Sequence, residues 1–153
     1  MPVDLAAGAR DLLTQEVQLY KALRMMVSRE QEAIVLNQDM DELLQIFKKK
    51  DGVISQLQLL SDAWQDLLAP VGISGPRGTE GFWERLLSLF PEDSELADLL
   101  EEARTASSDL MRAEDESIAL LKKYAADLRE QTSSLVKGRH VAATYNRMGG
   151  AYQ

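Results

Sequence analysis

A chain of 153 residues with 17 Lys and Arg against 25 Asp and Glu carries a net charge of −8, and its length suits one domain with a modest core or an elongated bundle. It is 45% hydrophobic, 6% aromatic and 27% charged, with no cysteine, which fits helices that expose long polar faces and excludes disulfides, thiolate metal sites and Cys nucleophiles. All 25 acids and 14 of the 17 basic residues fall in residues 1–136, leaving −11 there and +3 in residues 137–153; so acidic a body lacks the basic surface that binding to nucleic-acid phosphates needs.

The opening, MPVDLAAGARDLL, has no positive region followed by an apolar core, and no window approaches 18 apolar residues, so the expectation is a soluble, cytoplasmic chain with no stable membrane insertion. Residues 4–36 read as a first helix. Leu5, Leu12, Leu19, Met26 and Ala33 form one seven-residue row, and Leu13, Tyr20, Val27 and Ile34 form the adjacent one. Leu23, Glu16 and Glu30 lie between the rows. A carboxylate in a seam has to find a cation or reach a wet edge, because burying it unpaired is costly. The spacing favours the margin of the seam, with both reaching solvent.

Asn37-Gln38 breaks the pattern, and Asp39 followed by Glu42 is a capping-box start for a second helix running to about Leu68. Leu43, Lys50, Leu57 and Trp64 make one row, Met40, Phe47 and Ile54 another, and Ile46, Val53, Leu60 and Leu67 broaden the apolar face. A short connection makes the two helices an antiparallel hairpin. Level pairing then displaces Lys50 from Glu30 by roughly five residues, or about 7 Å, which leans against an ion pair.

Residues 69–81 read as the one clear loop, punctuated by Pro70, Gly72, Gly75, Pro76, Gly78 and Gly81. It shares collagen's Gly-every-third spacing over too few triplets for a triple helix, and no Gly-Lys-Ser/Thr follows to make a phosphate loop. Residues 79–90 read as a short helix whose Phe82, Trp83, Leu86, Leu87 and Phe90 cap an end of the bundle; the sharper alternative is an exposed aromatic patch that grips a partner. Pro91, Glu92 and Asp93 then open a long helix, with acids near its positive end.

The long helix, residues 94–136, has no Gly or Pro and would span about 65 Å. Leu96, Ala103, Leu110, Ser117 and Tyr124 repeat at seven; so do Leu100, Ser107, Glu114, Leu121, Leu128 and Leu135, offset by four. Two such rows make one stripe that needs partner helices, since so long a rod cannot stabilise itself in water. The first two helices are shorter, at about 33 and 30 residues, so roughly ten residues of stripe can lack cover at one end. An exposed apolar seam receives a partner's amphipathic helix, or a second copy closes it as a homodimer.

After Val136 and Gly138 the sequence GRHVAATYNRMGGAYQ is too poor in apolar residues to fold alone. Val141, Tyr145, Met148 and Tyr152 nevertheless stand at i, i+4, i+7 and i+11 on one helical face, the pattern of a segment that folds when a groove receives its anchors. The expected organisation is all-α: an elongated antiparallel helical bundle over residues 1–137, made of a helical hairpin, a long C-terminal helix and one short helix, followed by a flexible tail over residues 138–153.

Catalysis is poorly supported. The lone histidine, His140, falls in the tail, so a triad lacks a base. Glu-x-x-His pairs for a di-iron site are absent. Asn37, Asp39 and Asp41 imitate a calcium loop, yet Glu42 stands where Gly is needed and Lys48 where the final Glu belongs. The reading is a non-enzyme with no cofactor and no metal.

The order of elements resembles the FlgN family of flagellar type III export chaperones. The likeness rests on Leu19-x3-Leu23-x6-Glu30 in the first helix, Lys50 ahead of Val53-Ile54 in the second, a variable middle, a long C-terminal helix and a flexible tail. Tyr145-x-x-x-Gly149 is similar to the Tyr-x-x-x-Gly near the end of some members, with Asn146 where Gly often follows the Tyr. The resemblance implies a cytoplasmic chaperone that binds the C-terminal helical segments of hook-associated proteins, prevents their premature polymerisation and delivers them to the export gate. By position it implies substrate binding at Leu121, Tyr124, Leu128 and Leu135. It also implies docking on the export gate's cytoplasmic domain through Tyr145, with Val141, Met148, Gly149 and Tyr152 around it. The competing readings are a self-associating coiled-coil adaptor, without secretion substrate, and a helical regulator that binds a small ligand or metal.

Overall fold

The computed structural model describes residues 2–73 and 81–135, with side chains described over 5–73 and 81–130. The regular structure among them is helical: α1 (Pro2–Glu32), α2 (Met40–Leu68), α3 (Phe82–Ser88) and α4 (Ser94–Leu135). A π-helical turn at Ala33–Asn37 prolongs α1, and a 3-10 turn at Ala69–Val71 closes α2. None of the described helices is long and apolar enough to cross a membrane. The all-α bundle expected from the heptad rows is what forms.

The first helix ends less simply than its periodicity suggests. Its final turn widens to π geometry, and Gln38 then adopts a left-handed backbone, φ 48° and ψ 40°, with its N–H donating to the Ala33 carbonyl. That conformation costs a residue with a Cβ roughly 1–2 kcal/mol. Asp39 caps α2 as its spacing foretold, its carboxylate accepting from the N–H groups of Asp41 and Glu42. The reciprocal half of the capping box is not made: the Glu42 carboxylate accepts instead from the Asn37 side-chain amide at 3.1 Å.

The hydrogen bonds and ion pairs between helices fix the course of the chain. Glu16 meets Trp64 and Glu30 meets Lys50, so α1 and α2 run antiparallel. Arg10 meets Asp93, Lys21 meets Glu102 and Arg24 meets Asp109, so α4 runs parallel to α1. The chain therefore goes up, down and up again. Helix α1 lies between the other two long helices and packs along both, whereas α2 and α4 approach each other far less closely.

Three buried clusters lie along the bundle. At the end where α1 and α4 begin, Ala9, Leu13, Trp64, Leu68, Phe82, Leu86, Leu96 and Leu100 pack together. Trp83 stands edge-on to both Trp64 and Phe82, with ring centroids 5.7 and 5.0 Å away. The short helix thus caps this end, and its aromatic residues are largely core. Burying each such large side chain contributes about 1.5–3 kcal/mol. Leu23, Val27, Leu110 and Ala113 form the middle cluster. Ala33, Ile34, Leu43 and Ile46 form the third, beside the hairpin turn, with Phe47, Leu120, Leu121 and Tyr124 packed against them.

Candidate functional site

Charges within the apolar seams organise the middle of the molecule. Lys50 is buried on α2, and its ammonium donates to Glu30 of α1 at 2.8 Å and lies 2.7 Å from Glu114 of α4. One cation thus ties all three long helices together. Burial by itself pulls the Lys50 pKa down, but hydrogen bonding and Coulomb attraction from Glu114 and Glu30 outweigh it, and the net shift is upward from the usual lysine value. Glu114 is the outer member, its side chain 32% exposed against 6% for Glu30. The node holds two carboxylates for one ammonium and so keeps a negative charge in excess.

The expectation that Glu16 and Glu30 reach solvent at the seam margin is overturned: they are 2% and 5% exposed. Glu16 accepts a hydrogen bond from the Trp64 indole N–H at 3.1 Å, and Glu30 has its cation. The leaning of helical side chains explains how the five-residue offset is spanned. Each Cα–Cβ bond tilts toward its own N-terminus. Across an antiparallel pair, Lys50 therefore leans toward the hairpin turn and Glu30 away from it, and the two heads converge. Residue spacing alone overestimated the gap.

The substrate-binding candidates fall where α4 leaves the hairpin. Leu121 and Tyr124 are half-buried against the third cluster. Tyr124 is the last α4 residue packed on a buried cluster among the described side chains. Leu128, one turn on, is 42% exposed. Helix α4 continues to Leu135, about 16 Å past Tyr124 at 1.5 Å per residue; the Leu135 side chain lies outside the described residues. So do Val141, Tyr145, Met148, Gly149 and Tyr152, together with the boundary between residues 137 and 138.

A depression of about 790 Å³ between α1 and α4 is lined by Lys21, Arg24, Glu102 and Asp109 among others. Those four are already paired with one another at its edge, at 2.9 and 3.2 Å, and it opens broadly to water. No cluster of His, Asp and Glu fit to hold a metal ion occurs among the described residues.

The class is that of an elongated three-helix bundle, sealed by aromatics at one end and outrun by its last helix at the other. The FlgN protein family model matches residues 1–153, the whole chain, and the chain belongs to the FlgN family. Its members are flagellar export chaperones that bind flagellar proteins. Comparison with curated proteins and with solved structures finds no match.

Proposed function

We propose that the protein is a cytoplasmic export chaperone for hook-associated proteins. It holds their C-terminal helical segments, keeps them from polymerising and delivers them to the flagellar type III export apparatus. The observation that carries this reading is the passage of α4 beyond the hairpin, with Leu128 on the stripe and 42% exposed. Polymerising proteins keep amphipathic helices unpaired until assembly, and an apolar strip extending from a stable bundle is a receptor for such a helix. In this reading Leu121, Tyr124, Leu128 and Leu135 capture the substrate. Tyr145, with Val141, Met148, Gly149 and Tyr152, docks the loaded chaperone on the gate's cytoplasmic domain.

Titration of the protein with a peptide of a hook-associated protein's C-terminal helical segment, followed by light scattering, tests it. A 1:1 complex that Leu128→Asp weakens is expected, with the bundle still folded. A stable dimer indifferent to the peptide would instead make the chain a self-associating adaptor.

A further inference from the structure

The Lys50–Glu114 contact fixes which faces of α2 and α4 look at each other, and both faces are apolar. Phe47 and Ile54 stand three before and four after Lys50; Met111 and Ile118 stand three before and four after Glu114. Residues at those offsets share a helix face with the central one. Because α2 and α4 run antiparallel, Ile54 is level with Met111, and Phe47 with Ile118. Toward the turn the rails continue as Leu44 and Met40 on α2, and as Leu121 and Leu128 on α4. Helices so apolar on facing sides would be expected to close on each other. Instead α1 holds them apart, and Ile54, Met111, Ile118, Met40 and Leu44 are between 41% and 65% exposed. Side chains of the two helices meet over α1 in the buried clusters, and the long Lys50 side chain reaches Glu114; above that layer the exposed apolar residues flank a groove whose floor is the ion pair. From Met111 to Leu128 that groove is about 25 Å long, room for roughly five helical turns.

We infer that this groove between α2 and α4 receives an amphipathic helix from the partner protein as a fourth member of the bundle, and that this helix carries a lysine or arginine within its apolar stripe. The inference rests on the chaperone reading above and extends its site from the end of α4 to a second rail on α2. Charge selects the occupant. The floor has two carboxylates for one ammonium, Glu114 is its open member, and Asp51 and Asp115 follow Lys50 and Glu114 directly and are exposed. A purely apolar helix would take from water a node in which one ammonium is shared by two carboxylates, and its net negative charge would be left uncompensated. A helix with a basic residue at that level neutralises it.

The test uses the full chain and a peptide of about 40 residues from the C-terminus of a hook-associated protein, read by calorimetric titration. Ile54→Asp and Met111→Asp alter exposed positions, so their helicity and melting should stay near wild type. Each is expected to lower peptide affinity about tenfold or more, as truncating a central interface anchor does. Glu114→Gln is expected to weaken binding several-fold and to flatten its salt dependence. A peptide that binds the wild type, is weakened by Leu128→Asp and is indifferent to Ile54→Asp and Met111→Asp overturns the groove and leaves the chaperone reading standing. No binding to the wild type sinks that reading as well. If the groove variants leave peptide affinity unchanged, other occupants explain the open rails. A wild-type dimer that Ile54→Asp makes monomeric names a second copy, and a lowered melting temperature in Tyr145→Asp names the chain's own end.

Discussion

Lys50 of α2 and Glu114 of α4 meet at 2.7 Å across a gap that their backbones do not close. The pair joins helices whose backbones each pack mainly on α1, and Glu30 of α1 completes it from below at 2.8 Å. Removing the ammonium strands two carboxylates, one of them almost fully buried. Lys50→Met should therefore destabilise the protein by about 3–5 kcal/mol, the usual consequence of breaking a buried pair from one side. Glu114→Gln should cost far less, because Glu30 still satisfies Lys50. Urea unfolding of the two variants checks the asymmetry; equal losses would show that the outer carboxylate matters as much as the inner one.

The same node sets an alkaline limit. The Lys50 pKa is raised in the folded state, so its contribution is fully present below the ordinary lysine value, about 10.5, and is lost as pH climbs through the higher folded value. Tyr20 acts in the same direction: burial raises its pKa, and the unfolded chain gives up that proton first, from about pH 10. Stability should fall as pH rises above about 10, and Lys50→Met should show a shallower fall. Urea midpoints between pH 8 and 11 measure it.

At the hairpin, Gln38 holds a positive φ of 48°, a region that suits a residue without a Cβ. Gln38→Gly should stabilise the protein by up to about 1 kcal/mol, the relief of strain being partly offset by the extra freedom glycine gives the unfolded chain. Gln38→Val should do the reverse. Thermal melting of the pair decides it.

Ser117 occupies a seam position on α4, is fully buried, and its hydroxyl is the one buried side-chain polar atom among the described residues without a hydrogen-bond partner. An unsatisfied buried polar group costs about 1–3 kcal/mol. Ser117→Ala should be neutral or stabilising, where most substitutions in a core destabilise. A lowered midpoint in urea would mean that the hydroxyl is satisfied after all.

For Tyr145 the expectation concerns a division of labour. Tyr145→Ala should leave affinity for a hook-associated peptide nearly unchanged and weaken binding to the isolated cytoplasmic domain of the export gate. Parallel titrations against the two partners read this out, and equal loss in both would reject the separation.

The helices, the hairpin and the Asp39 cap were legible because each depends on spacing within about one turn. The seam rows foretold Leu96, Leu100, Leu110 and Tyr124 as packing residues, and the aromatic run foretold the capping role of Phe82 and Leu86. What spacing could not give was the position of one helix against another. That α4 runs parallel to α1 depends on the connector and α3 returning the chain to the end where α1 starts. The buried state of Glu16 and Glu30 depends on Trp64 and Lys50, which lie on another helix, and on the direction in which side chains lean. A usable signal did exist: Lys50, Glu30 and Glu114 each interrupt an apolar stripe, and three such interruptions of matching charge are best satisfied by one another. Of the binding candidates, Leu121 and Tyr124 pack half-buried on the third cluster and Leu128 lies one turn beyond it, exposed, while the α2 rail escaped notice because Met40, Phe47 and Ile54 read as core.

The aromatic closure at one end and the unsupported run of α4 at the other grade the cohesion of the molecule along its axis. Near Trp64 and Phe82 the last helix is clamped from several sides, and opening it there means breaking most of the core. From Ala126 to Glu130 the residues of α4 are exposed, so amide protons should exchange quickly there and progressively more slowly toward Leu96. A pull applied at the C-terminal end of α4 would then lift it away turn by turn from that side, meeting its first resistance where Tyr124, Leu121 and Leu120 pack on the third cluster and a second at the Lys50 node. The far part of α4 would thus peel back while the aromatic base stays folded.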